Sequence, residues 1–210
     1  MNGLKSYFNS LVSATAIYMR LRQAVIGAFN DFKEIDSELN AISIVTGKTM
    51  KELWGNFGNL NSIAQQYGVT TKNVIEVQKL YYQQGRNAVE VTQLTGETLK
   101  FAKISGLDFA NATDYMTAAL NAYNIAAKDA SEITDTYAAL SAAAAVDSQE
   151  VAVAMSKVAS MAAAAGSSFK DTSAYLSKII EVTREAPETS GTALKTIVAR
   201  FTEIDKLTED

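Results

Sequence analysis

The sequence predicts an all-α protein: a multi-helix bundle of short antiparallel helices following a long N-terminal, heptad-patterned helix. Three observations predict it. The 210 residues contain one proline, Pro187, and many Ala, Leu, Lys, Glu and Gln, a composition that favours helix throughout. One stop-and-start signal recurs five times: Gly47 then Thr49, Gly68 then Thr70, Gly85 then Asn87, Gly106 then Asp108, Gly166 then Ser168. Finally, no segment alternates apolar and polar residues as a half-buried strand would.

The first helix is set by its spacing. Positions 4, 7, 11, 14, 18, 21, 25, 28, 32, 35, 39 and 42 are all apolar and alternate steps of three and four. That is an a/d seam, which favours a left-handed supercoil. The segment is about 58 Å long at 1.5 Å per residue. Phe8 and Phe29 at e positions and Ile17 at a g position widen the stripe. Such a helix packs on the rest of its own chain or bundles with copies of itself.

The later helices are placed by their ends. A glycine after a helix takes the left-handed conformation that closes the last turn, and Thr, Asn, Asp or Ser two residues on caps the next helix. Ala64, Ala102 and Ala162 each lie four residues before such a glycine, as in a weak repeat of helical units of roughly 20 residues. Asn124 stands in for glycine, Asp147 with Glu150 forms a capping box, and Pro187 ends or begins a helix with Gly191 near the next start. The predicted helices are 4–45, 50–66, 71–84, 88–105, 109–123, 128–146, 149–165, 169–185 and 190–206. Trp54, Phe57, Leu60 and Ala64 share a face of the second and are expected in the core, while Gly55 and Gly58 weaken that helix by ~1 kcal/mol each and should bend it. Ala142–Ala145 and Ala162–Ala165 predict smooth faces for close helix packing. Residues 1–46 thus read as a long amphipathic helix and 47–206 as a helical domain.

Composition narrows the chemistry. Hydrophobic residues make up 48% and charged residues 20%, enough apolar material to fold rather than stay disordered. Without cysteine or histidine there is no disulfide, no thiolate nucleophile and no ordinary zinc site. A net charge of −4 argues against specific nucleic-acid binding, which rests on neutralising phosphates. The best candidate for a membrane span, 11–29, carries Arg20 and Arg22 and falls short of the run a membrane helix needs.

Two groups of residues invite a functional reading. Gly47-Lys48-Thr49 looks like the end of a phosphate-binding loop, but the first glycine of that pattern would fall at Ile42 and no strand precedes it. It reads as punctuation, with Lys48 in solvent. Glu181, Glu185 and Glu188, and separately Glu34, Asp36 and Glu38, offer carboxylates at close spacing. With no histidine or cysteine only a carboxylate mechanism such as glycan cleavage is open to them, and such spacing is the ordinary pattern of a solvated helix face. No catalytic, cofactor-binding or metal-binding residue is assigned, and the chain reads as non-enzymatic.

Taken in order, the helical stretches FKEIDSELNAISIVTGKTMKEL, IAQQYGVTTKNVIEVQKLYYQQGRNAVEV, FAKISGLDFANATDYMTAALNAYNI and AAAAGSSFKDTSAYLSKIIEVTREAPETSGTALKTIVARF resemble the core region of phage tail tape measure proteins. Gly191-Thr192-Ala193-Leu194-Lys195, followed by Ile197 and Arg200, is especially similar. The resemblance covers about residues 30–202. It implies a structural protein that acts as ruler and scaffold for the tail tube of a phage or phage-tail-like particle. It also implies several copies, in threes or sixes, associated through the N-terminal helix. The implied partners are the tail tube protein and tail assembly chaperones, with host membrane contact during genome delivery. The implied location is the virion tail lumen, and the host cytoplasm during assembly. The chain is short for a ruler, since 210 residues of unbroken helix span only ~315 Å. It therefore reads as a fragment or one domain of a longer protein. A compact fold that opens to extended helices would use Gly68, Gly85, Gly106 and Gly166 as hinges. The alternatives are a helical domain of a tail-associated peptidoglycan hydrolase and a generic helical adaptor.

Overall fold

A computed structural model describes residues 2–208 of the chain, with side chains from 16 to 203. Every regular element among the described residues is helical, so the all-α class holds. In order they are α1 (Asn2–Thr46), α2 (Met50–Gly55), α3 (Phe57–Tyr67), α4 (Thr71–Gln83), α5 (Ala88–Ser105), α6 (Phe109–Tyr123), a 3-10 turn (Ala127–Asp129), α7 (Ser131–Ala143), α8 (Ser148–Ala164), α9 (Phe169–Thr183) and α10 (Pro187–Thr208).

The junctions form as the spacing predicts. Gly47, Gly68, Gly85, Gly106 and Gly166 all have φ between +62° and +81°, the left-handed region that costs a residue with a Cβ about 1–2 kcal/mol. Asn124 joins them at φ 52°. Where the chain leaves α3, α4 and α8, the amide that follows the left-handed glycine reaches back to close the turn. Val69 N–H donates to Ala64 O at 2.9 Å, Arg86 N–H to Tyr81 O at 3.1 Å and Ser167 N–H to Ala162 O at 3.0 Å. The residue four before five of these caps is fixed against the core: Ala64, Tyr81, Ala102, Leu120 and Ala162 are all buried, whereas Ser43, four before Gly47, is half-buried. The recurrent alanine is one occupant of that position, which also takes tyrosine and leucine. Thr70, Asn87, Asp108 and Ser168 cap the following helices with their side chains.

Three predicted boundaries need correction. The helix expected over 50–66 is two helices that break at Asn56, beside the helix-weakening Gly55 and Gly58; of the residues expected in the core, Leu60 and Ala64 are buried while Trp54 and Phe57 are half-buried. The helix expected over 128–146 begins with the 3-10 turn and stops at Ala143, because Ala144 is extended at φ −132°, ψ 161°. Arg184, itself at φ 56°, donates from its guanidinium to Ala145 O at 2.7 Å, a long-range cap with no local signature. Ala142–Ala145 is accordingly no continuous helix face. Pro187 opens α10 as its first residue, where its missing N–H costs nothing, and Gly191 lies inside that helix.

The chain divides into two compact units, Met1–Trp54 and Gly55–Asp210. In the first, Trp54 stacks on Phe32 with ring centroids 4.7 Å apart and donates from Nε1 to Asp36 Oδ1 at 3.0 Å. The indole therefore ties α2 to α1 and is half-buried.

In the second unit α8 is the central helix. It packs against α10 most extensively, and also against α6, α9, α7 and α5, while α5 packs on α4, α6 and α7. Nine residues of α8 are buried, chiefly alanine and valine, and their small size lets several helices approach. Three hydroxyls in this core are bonded locally, Thr95 to Val91 O, Thr113 to Phe109 O and Thr172 to Ser168 O, whereas those of Thr134, Tyr137, Ser173 and Ser190 are buried without a partner among the described residues. Tyr81 and Thr98 share a bond at 2.6 Å across α4 and α5. Such pairing avoids the ~1–3 kcal/mol penalty of a buried group left unbonded.

Candidate interaction surfaces

The loop at Gly47–Thr49 uses up its own amides. Gly47 N–H donates to Ser43 O at 2.8 Å, Lys48 N–H to Thr46 Oγ1 at 3.3 Å and Thr49 N–H to Glu52 Oε2 at 2.8 Å. Glu52 N–H returns to Thr49 Oγ1, which completes a capping box on α2. A carboxylate already sits where a phosphate would have to sit, and the amide of Thr49 holds the Glu52 carboxyl below its ordinary pKa.

Two of the carboxylates, Glu181 and Asp36, are likewise engaged structurally. Glu181 pairs with Lys178 at 2.8 Å, and that bond lowers its pKa, whereas a general acid needs a raised one. Glu185 and Glu188 are exposed on either side of Pro187. Asp36 accepts the Trp54 indole bond. Among the described residues no group of acidic side chains could hold a metal ion.

What the fold does present is apolar surface. On α1 the seam positions Tyr18, Leu21 and Val25 are 66%, 62% and 61% exposed, and Phe32, Ile17 and Phe29 are exposed as well. Further along the same seam Leu39 and Ile42 are buried. The seam is thus open over residues 17–32. Seam positions 4, 7, 11 and 14 lie outside the described side chains. No described helix is long and apolar enough to cross a membrane.

A second surface lies on α10, and sequence reasoning does not single it out. Gly191 packs on the Ala154 backbone. Ten residues further along each helix, Phe201 and Ala164 line a common groove, so α8 and α10 run parallel. α8 ends at Ala164, while α10 continues to Thr208. The groove holds about 500 Å³. Tyr175, Leu194, Ile197, Val198 and Phe201 form its apolar lining, with Ile197 49% and Phe201 65% exposed. A signal for it exists in the sequence: 194, 197, 201 and 204 are Leu, Ile, Phe and Ile, a short run of steps of three and four.

A family model described as phage-related minor tail protein matches residues 54–209. No curated protein and no solved structure matches the chain.

Proposed function

The chain belongs to the phage-related minor tail protein family, and from that premise we propose that it is a non-enzymatic tape measure component, a ruler and scaffold on which the tail tube is assembled. The family match supports a structural role in the tail. The observation that carries the finer reading is the open apolar seam of α1, whose Tyr18, Leu21 and Val25 face solvent at heptad spacing. A seam of that kind is stable in water only against another helix, and further copies of the ruler supply it.

On this reading several copies associate through α1, in threes or sixes, within the tail lumen, after assembly in the host cytoplasm with the tube protein and tail chaperones. Contact with the host membrane follows during genome delivery. The bundle of Gly55–Asp210 is the folded form, and extension in the lumen opens it at the left-handed junctions Gly68, Gly85, Gly106 and Gly166.

In-frame deletions across the full reading frame, scored by electron microscopy of tails, test the ruler. Tails should shorten by about 1.5 Å per residue removed. Tails of unchanged length would sink the reading.

A further inference from the structure

We propose that the open seam on α10 is a second self-association surface, which receives α10 of further copies, parallel and in register. This surface goes beyond the ruler reading and does not depend on it. The occupant follows from the heptad. With Leu194 at a, Ile197 at d, Phe201 at a and Ile204 at d, Arg200 falls at g and Asp205 at e. In a parallel pair, g of one helix faces e of the next heptad on its partner. Arg200 then meets Asp205 of the second copy, and the reverse pair forms by symmetry. An antiparallel pair sets g against g and would oppose Arg200 to Arg200, so charge selects the parallel arrangement.

The rest of the site is consistent with a helix as guest. None of the residues lining the groove is charged, so docking removes few polar groups from water. In the single chain Arg200 lies 3.6 Å from Glu203 with both side chains mostly exposed, and it can turn to a partner at little cost. The exposed part of α1 is a poorer guest, since two of the three charges of residues 17–32, Arg20 and Arg22 against Asp31, are like that of Arg200. The seam from 197 to 208 is only about 18 Å long. Its affinity alone is low, and linkage to a second contact in the same chain raises it through effective concentration.

The chain has no cysteine, so disulfide trapping on the whole chain reads the contact directly. Phe201→Cys, or Ile197→Cys as a second core position, should cross-link to itself several-fold faster than Thr196→Cys, at a c position on the far side. Adding Arg200→Glu should slow that reaction several-fold, and adding Asp205→Arg to it should restore the rate. Arg200 is exposed, so circular dichroism should stay unchanged. Equal rates at the three cysteines, or a rate indifferent to Arg200→Glu, would overturn the proposal. So would a mixed disulfide between Phe201→Cys and Val25→Cys chains that forms faster than the Phe201→Cys homodimer, because it would seat α1 in the groove. Tail length plays no part in this assay, so its outcome is separate from that of the ruler.

Discussion

Gly191 lies so close to Ala154 that a methyl group on it would overlap the Ala154 carbonyl oxygen and come within 2.9 Å of the carbonyl carbon. Both neighbours are backbone, so neither can swing aside. The contact sets the spacing of α8 and α10 and so positions the groove lined by Leu194, Ile197 and Phe201. Gly191→Ala improves helix propensity by about 1 kcal/mol, yet the helices must part to admit it. We expect a net loss of about 1–3 kcal/mol in chemical denaturation, the usual cost of overpacking. Gly58→Ala is the control. Nothing lies within 4 Å of a Cβ there and φ is not positive, so it should gain up to about 1 kcal/mol.

The left-handed caps give the opposite kind of test. Gly85 and Gly166 have φ 79° and 81° with open space around them, so an added methyl meets no neighbour and the whole effect is conformational. Each Gly→Ala change should cost about 1–2 kcal/mol. Asn124→Gly, at φ 52°, should be neutral or slightly stabilising. Thermal unfolding of the three variants checks this. Equal midpoints for Gly85→Ala and the parent would mean that the junction is not held left-handed.

These two glycine classes also mark what the sequence can and cannot reveal. A helix stop of glycine then cap lies within a few residues, and the five such junctions and Asn124 are legible for that reason. Arg184 as a left-handed cap is not, because it stands where any residue could and finds its partner, Ala145, 39 residues away. The end of α7 is obscured for the same reason. Gly191 reads as the neighbour of a helix start because close helix packing leaves the same residue as a turn does. The α1 seam is readable through sheer length. The α10 seam has under two open heptads, and only the early end of α8 shows that it is uncovered.

Asp108 links the caps to pH. Its carboxylate accepts from Asn111 N–H at 2.8 Å and from the Asn111 amide at 2.6 Å, and these bonds, the backbone one foremost, lower its pKa from the ordinary value. A depressed folded pKa means stability that is present above the unfolded value of about 3.9 and lost as pH falls through the folded one. Glu52 and Glu181 shift the same way. The protein should therefore soften on acidification below about pH 4.5, the region in which free Asp and Glu titrate. Asp108→Asn keeps an acceptor at the cap and should reduce that pH dependence while leaving neutral stability nearly unchanged. Asp108→Ala should lose about 1 kcal/mol at neutral pH. Melting curves at pH 7 and pH 3.5 for both variants separate the contributions.

Orientation along α1 can be read from charge. The heptad puts Asp31 at g and Asp36 at e, five residues apart, so parallel copies in register bring Asp31 against Asp36 of the neighbour. Asp36 is anchored by the Trp54 indole at 3.0 Å and cannot readily turn away. Parallel association through α1 is thus restrained by like charge, in contrast to the Arg200 and Asp205 pairing of α10. Asp31→Lys converts the repulsive pair into an attractive one and should strengthen association, raising the weight-average mass in sedimentation equilibrium at fixed concentration. The gain should shrink at high salt, as an exposed pair is screened. Antiparallel copies would instead set the two substituted ammonium groups against each other and gain nothing. A mass unchanged or lowered by Asp31→Lys would rule out parallel, in-register association through α1, whereas Leu21→Glu in the open seam should abolish association in either orientation.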